Sequence, residues 1–189
     1  NLSMGRGKRD EAVRYAGNAI MLLFSIGVLL CLTVRLFLRP MMVLFGATPD
    51  VLDYSLTYTG ITSLGFPFLI LTTGGSNLIR ADGSPKFSML CNLVGAIVNT
   101  ILDPLFIFVF HMGMAGAALA TITGQILSFA LVVFYLRSFK TLPLSLSDLK
   151  PKIACWARIA ALGATPAFNQ VAMMVVQIVM NNTLTHYGS

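Results

Sequence analysis

Charge is what this sequence has least of. Only 11% of its 189 residues are Asp, Glu, Lys or Arg, where a soluble domain carries about 25%. Histidine is scarcer still, with His111 and His186 alone. Both stand at the ends of apolar runs, which suits an interfacial residue better than a metal ligand. The three cysteines, Cys31, Cys91 and Cys155, are widely spaced with no C-x-x-C pair. That pattern argues for reduced thiols, without disulfide or metal. Catalytic signatures are missing as well. There is no H-E-x-x-H, no G-x-S-x-G, no P-loop and no Ser–His–Asp set at a plausible depth. Gly5 and Gly7 form a G-x-G that follows no strand, so it is not a nucleotide loop. The residues give no ground for an enzyme or for ATP hydrolysis.

Apolar residues fill the space that charge leaves. They make up 56% of the chain, and the mean hydropathy is +0.80. Five uncharged or nearly uncharged runs follow one another: 15–34, 54–79, 87–110, 112–136 and 159–185. Each is long enough for a helix to cross a bilayer. The expected fold is an all-α membrane protein, a polytopic bundle with five spans in this chain. Residues 35–53 read as a proline-broken loop with a short interfacial segment at 41–45. In the second run Pro67 follows Gly60 and Gly65, which predicts a kinked helix with Pro67 as hinge. Arg80, Asp82, Gly83, Ser84 and Pro85 form a tight turn before Lys86.

The third run holds a carboxylate. Between Lys86 and His111 lie 24 residues, and Asp103 is their only charge. It is seventeenth in the run, about two thirds of the way across. A carboxylate at such depth costs roughly 2.5–3.5 kcal/mol on insertion scales, so an intramembrane acid marks a functional site by default. Asn99 precedes Asp103 by four residues and Asn92 precedes Asn99 by seven, which puts all three on one helical face. Gly95 lies near the same stripe and admits another backbone. Pro104 follows the acid directly, removes a backbone hydrogen bond and frees a carbonyl about one turn earlier. Amide, carboxylate and carbonyl oxygens resemble a site for a proton or a small hard cation. The alternative is a buried polar contact between helices.

Two further spans carry polar stripes. Gly116, Ala120 and Gly124 recur every four residues and form a face for close helix packing. Thr121 and Gln125 share one polar stripe on the same helix. In the last span Gln170, Gln177 and Asn181 align on one face, with Pro166 as a further hinge. They suit either the wall of a wet cavity or interhelical hydrogen bonds. Before that span, 137–158 reads as a polar linker, and Leu149, Ile153 and Trp156 on one face predict an interfacial amphipathic helix.

Basic residues fix the expected orientation. Eleven of the thirteen, from Arg6 to Arg158, fall in loops on one side, leaving Arg35 and Arg39 on the other. By the positive-inside rule the eleven face the cytoplasm, as does Asn1. The net charge of +6 is then a topology signal with the lipid bilayer as partner, not nucleic acid. A bacterial inner membrane is the expected location.

Three blocks carry a family resemblance. They are Asn77, Arg80 to Lys86; Asn99, Asp103, Pro104; and Gly113, Gly116, Thr121. With Met4 to Lys8 and Gly163 to Pro166, they resemble the MATE family of multidrug and toxic-compound extrusion transporters. The resemblance implies a twelve-helix protein of two six-helix bundles. Residues 1–136 would be spans three to six of the first bundle, 137–158 the cytoplasmic linker and 159–189 span seven. It implies export of organic cations and amphiphiles in exchange for Na+ or H+, with the remainder of the same transporter as structural partner and no other cofactor. It also implies a cation site at Asp103, Asn99 and Thr121, with Asn77 contributed by span four. Asn92, Gln125, Gln170, Gln177 and Asn181 are candidates for a substrate cavity. The acid that some members carry in span seven is replaced here by neutral Gln170 and Gln177. Competing readings are a flippase for lipid-linked saccharides of related fold, which should show basic residues within its spans, and a membrane assembly protein without transport.

Overall fold

The computed structural model describes residues 9–45, 47, 49–137 and 152–187. Among them every element is helical and none is a strand. In chain order they are α1 (Arg9–Leu36), α2 (Leu38–Leu44), α3 (Pro49–Thr62), a 3-10 turn (Ser63–Gly65), α4 (Phe66–Ala81), α5 (Pro85–Pro104), a π turn (Leu105–Val109), α6 (Gly113–Arg137) and α7 (Ile153–Tyr187). Five stretches are long and apolar enough to cross a membrane: Glu11–Leu36, Pro49–Ala81, Pro85–Val109, Gly113–Arg137 and Ile153–Gln177. This is the all-α, multi-pass bundle that the sequence predicts. Residues 1–150 form one compact unit and 151–189 a second.

Prolines set the breaks in the first unit. Pro67 occupies the first turn of α4, where a missing N–H costs nothing. The kink expected at Pro67 is therefore realised just before it, as the 3-10 turn that joins α3 to α4. Pro85 opens α5 in the same way. The turn between α4 and α5 places Gly83 at φ 82°, a conformation that glycine adopts without a Cβ clash. Pro104 closes α5, and beyond it the helix widens to a π turn in which the Phe110 amide donates to the Leu105 carbonyl at 3.0 Å.

Small residues set the packing. α5 and α6 run antiparallel and touch backbone to backbone: a Cβ on Gly124 would lie 2.6 Å from the Gly95 carbonyl oxygen, and one on Gly95 would strike the Ser128 hydroxyl. α1 meets α4 in the same manner, since a Cβ on Gly27 would come within 2.7 Å of Pro67 Cα. A buried apolar cluster of Ile79, Cys91, Val132 and Tyr135, with Phe87 against it, ties the end of α4 to α5 and α6. All three cysteines are free. The outer faces remain apolar, with Leu29 63% and Phe108 72% exposed, as lipid-facing surfaces require.

The second unit is α7. It runs from Ile153 through Pro166 to Tyr187. The amphipathic helix expected before residue 159 is, over its described part, the first turns of this same helix. Leu149 and residues 138–151 of the expected linker lie outside the described residues.

Candidate functional site

Asn99 and Asp103 stand one turn apart on α5, and Thr121 faces them from α6. The Asn99 amide nitrogen donates to Asp103 Oδ1 at 3.4 Å and to Thr121 Oγ1 at 3.4 Å. The Thr121 hydroxyl donates to the Ala117 carbonyl at 3.0 Å. All three side chains are half-buried. The bridge exists because Gly95 and Gly124 touch one turn away. A Cβ at position 124 would crowd Asn99 Cβ at 3.3 Å; without it, an amide as short as asparagine spans the two helices. Asn99 spends its donors on its neighbours, so its carbonyl oxygen stays available beside the carboxylate.

A cavity of about 240 Å³ opens beside this bridge, walled by α4, α5 and α6. Asn92, Asn99, Thr121 and Gln125, all picked out in the sequence, are on its wall. Asp103 is not; it sits a turn further along α5. Three polar wall residues were not singled out: Thr72, Thr73 and Ser128. Ser128 had a readable signal, because Thr121, Gln125 and Ser128 follow at spacings of four and three. The Asn92 amide donates to Ser76 Oγ at 3.4 Å and to the Ser88 carbonyl at 3.2 Å. Asn77 is exposed on α4 and is not among the wall residues, and its chain neighbour Ser76 makes the contact with α5 instead. Gln170 and Gln177 are exposed on α7 in the second unit. The Asn181 side chain lies outside the described residues.

A separate polar cluster marks the turn before α5. The Tyr135 hydroxyl lies 2.8 Å from Asp82 Oδ2 and 2.6 Å from Ser84 Oγ. Arg80 Nε donates to Ser88 Oγ at 3.1 Å. These contacts tie the far end of α6 to the α4–α5 turn. Among the described residues, no three of His, Cys, Asp and Glu converge as a metal site would require.

The sequence matches MatE over residues 3–105, more than half of its length. The chain belongs to the MatE family. The multidrug export protein MepA of Staphylococcus haemolyticus is 35% identical over 145 residues, which cover 76% of this chain and 32% of that protein. MepA of Staphylococcus saprophyticus is 31% identical over 147 residues, 77% of this chain and 33% of that protein. Among solved structures, MATE in complex with MaL6 superposes with a TM-score of 0.90 at 21% identity, over 99% of this chain and 42% of that one. That likeness establishes the fold. This MatE chain spans about a third of the length of the curated relatives it matches.

Proposed function

We propose that this chain is part of a secondary multidrug exporter, which moves organic cations and amphiphiles outward in exchange for Na+ or H+. The observation that carries the reading is the bridge from Asp103 through Asn99 to Thr121 at the edge of a cavity with hydrogen-bonding side chains on its wall. The membership in the MatE family and the likeness to proteins named as multidrug exporters support it. In this reading Asp103, the Asn99 carbonyl and the Thr121 hydroxyl offer oxygen ligands, as a hard cation or a proton prefers. Filling that site neutralises a carboxylate whose charge costs roughly 2.5–3.5 kcal/mol at membrane depth. The loss of charge weakens the Asn99 contact, because hydrogen bonds to ionised groups are about twice as strong as neutral ones. Pro104 and the π turn follow at once, where the helical ladder is already interrupted. Repacking there reshapes the cavity, and access alternates from one side to the other. In this reading the basic loops face the cytoplasm with the N-terminal end of the chain, and the membrane is a bacterial inner membrane. Among the described residues no Lys or Arg is on the cavity wall, which favours this reading over a pyrophosphate-headed lipid as cargo.

The test uses the protein at full length in proteoliposomes. A sodium or a pH gradient is imposed separately, and efflux of a fluorescent organic cation is followed for wild type and Asp103→Asn. One gradient should drive efflux in wild type and neither in the variant. Undiminished gradient-driven efflux in Asp103→Asn removes this carboxylate from the coupling role.

A further inference from the structure

The cavity wall divides its polar side chains into two groups. Thr73, Asn92, Asn99, Thr121 and Ser128 all spend hydrogen bonds on protein: on Leu69, on Ser76 and Ser88, on Asp103 and Thr121, on Ala117 and on Cys91 respectively. Thr72 and Gln125 do not. Among the described residues Thr72 Oγ1 and Gln125 Oε1 are buried without a hydrogen-bond partner, and Oε1 is turned against Gly65, so the Gln125 amide must rotate to meet a ligand in the cavity. Thr72 is only 5% exposed. Its hydroxyl departs from the rule followed by Thr73, Thr100, Thr121 and Thr123, which each donate to the carbonyl four residues back. Buried polar atoms in proteins are almost always paired, so two orphans on one cavity wall need an account.

We infer that Thr72 and Gln125 are the specificity-determining pair of this cavity, and that they accept hydrogen bonds from the N–H groups of a bound amine. The inference rests on the export reading and narrows its substrate class. Both orphaned atoms can accept; the Thr72 hydroxyl can also donate, whereas an amide oxygen accepts only. Among the described residues the wall offers a ligand hydrogen-bonding side chains and no carboxylate. A protonated amine satisfies the pair after a side-chain rotation. A quaternary ammonium carries the same charge without an N–H, and it leaves the acceptors orphaned. Sites built to hydrogen-bond a ligand discriminate against the analogue that lacks the donor.

The experiment uses two acridine dyes that differ at one nitrogen, an aminopropyl chain, protonated at neutral pH with three N–H donors, and its trimethylammoniopropyl counterpart. Binding is read by fluorescence titration and efflux in proteoliposomes, with the protein at full length. Wild type should prefer the protonated amine about fivefold, the ratio that one net hydrogen bond of about 1 kcal/mol supplies. Thr72→Val and Gln125→Met keep side-chain size and should bring the ratio toward unity. Thr72→Ser, which keeps the hydroxyl, should retain it and shows that the site still folds. An unchanged ratio in both Thr72→Val and Gln125→Met, with both dyes still exported, overturns the assignment and leaves the export reading standing. Neither binding nor efflux of either dye in wild type removes the export reading and this assignment together.

Discussion

At the scale of single residues, Asn99 bears more than its size indicates. Its amide is the one group that joins the carboxylate of α5 to the hydroxyl of α6. Asn99→Leu keeps the branched outline and the number of heavy atoms and removes both bonds, leaving Asp103 beside an apolar side chain. Losing a hydrogen bond to a charged group costs about 1.5–3 kcal/mol, so gradient-driven efflux should fall by roughly tenfold or more. Ser128→Ala removes a bond of 2.8 Å to the Cys91 carbonyl. It should cost only about 0.6 kcal/mol, the mean for such bonds between membrane helices. Initial efflux rates and thermal unfolding in detergent separate the two. Equal losses of rate in both variants would count against a special role for Asn99. The helical spacing made Asn99 and Asp103 legible in the sequence, since both are on one helix. Spacing put Thr121 on a polar stripe with Gln125, but its place beside Asn99 and Asp103 came only from the family resemblance, because no periodicity reports which residue faces another across two helices. Thr72 escaped notice for a related reason. A helical threonine commonly bonds its own backbone, so a hydroxyl in an apolar run carries no signal until its bonds are seen.

At the scale of elements, the glycines separate into tight and tolerant positions. Gly95→Ala would drive a Cβ into Ser128 and to 2.8 Å from the Gly124 carbonyl. Backbone cannot yield as a side chain does, and overpacking of this kind costs typically 1–3 kcal/mol. Gly60→Ala on α3 meets only the tip of Leu38 at 3.4 Å. It should be neutral or gain about 0.5–1 kcal/mol from helix entropy. Thermal unfolding of the purified protein checks both; a Gly95→Ala variant as stable as wild type would contradict the close crossing. The small-residue stripe on α6 was readable in sequence, and so was a break near Pro67. Its position was not, because proline both interrupts a helix and starts one. The π turn after Pro104 was hidden, since π and α turns use the same apolar residues. The separate amphipathic helix before residue 159 was expected because hydropathy falls there, yet a helix continues through a change of solvent without interruption.

At the scale of the whole molecule, hydropathy alone identified five spans, because the bilayer imposes a length that composition must meet. It did not reveal how they gather, since lipid and neighbouring helices are equally apolar solvents. The cavity supplies the missing distinction. In a background with the native cysteines replaced, Asn92→Cys and Gln125→Cys on the wall should react with a water-soluble thiol reagent. Leu29→Cys and Phe108→Cys on the apolar outer surface should not. Labelling of Asn92→Cys and Gln125→Cys as weak as that of the outer two would mean that the wall residues face lipid. The crossing at Gly95 and Gly124 has a mechanical consequence. Two rods that touch at mid-length, with no side chain between them, share a fulcrum. Tilting α6 on α5 about that point opens the end that holds Asn99 and Thr121 while it closes the end that holds Asp82 and Tyr135, or the reverse. Such a tilt would couple the two polar clusters, at opposite ends of one pair of helices, as the arms of a balance.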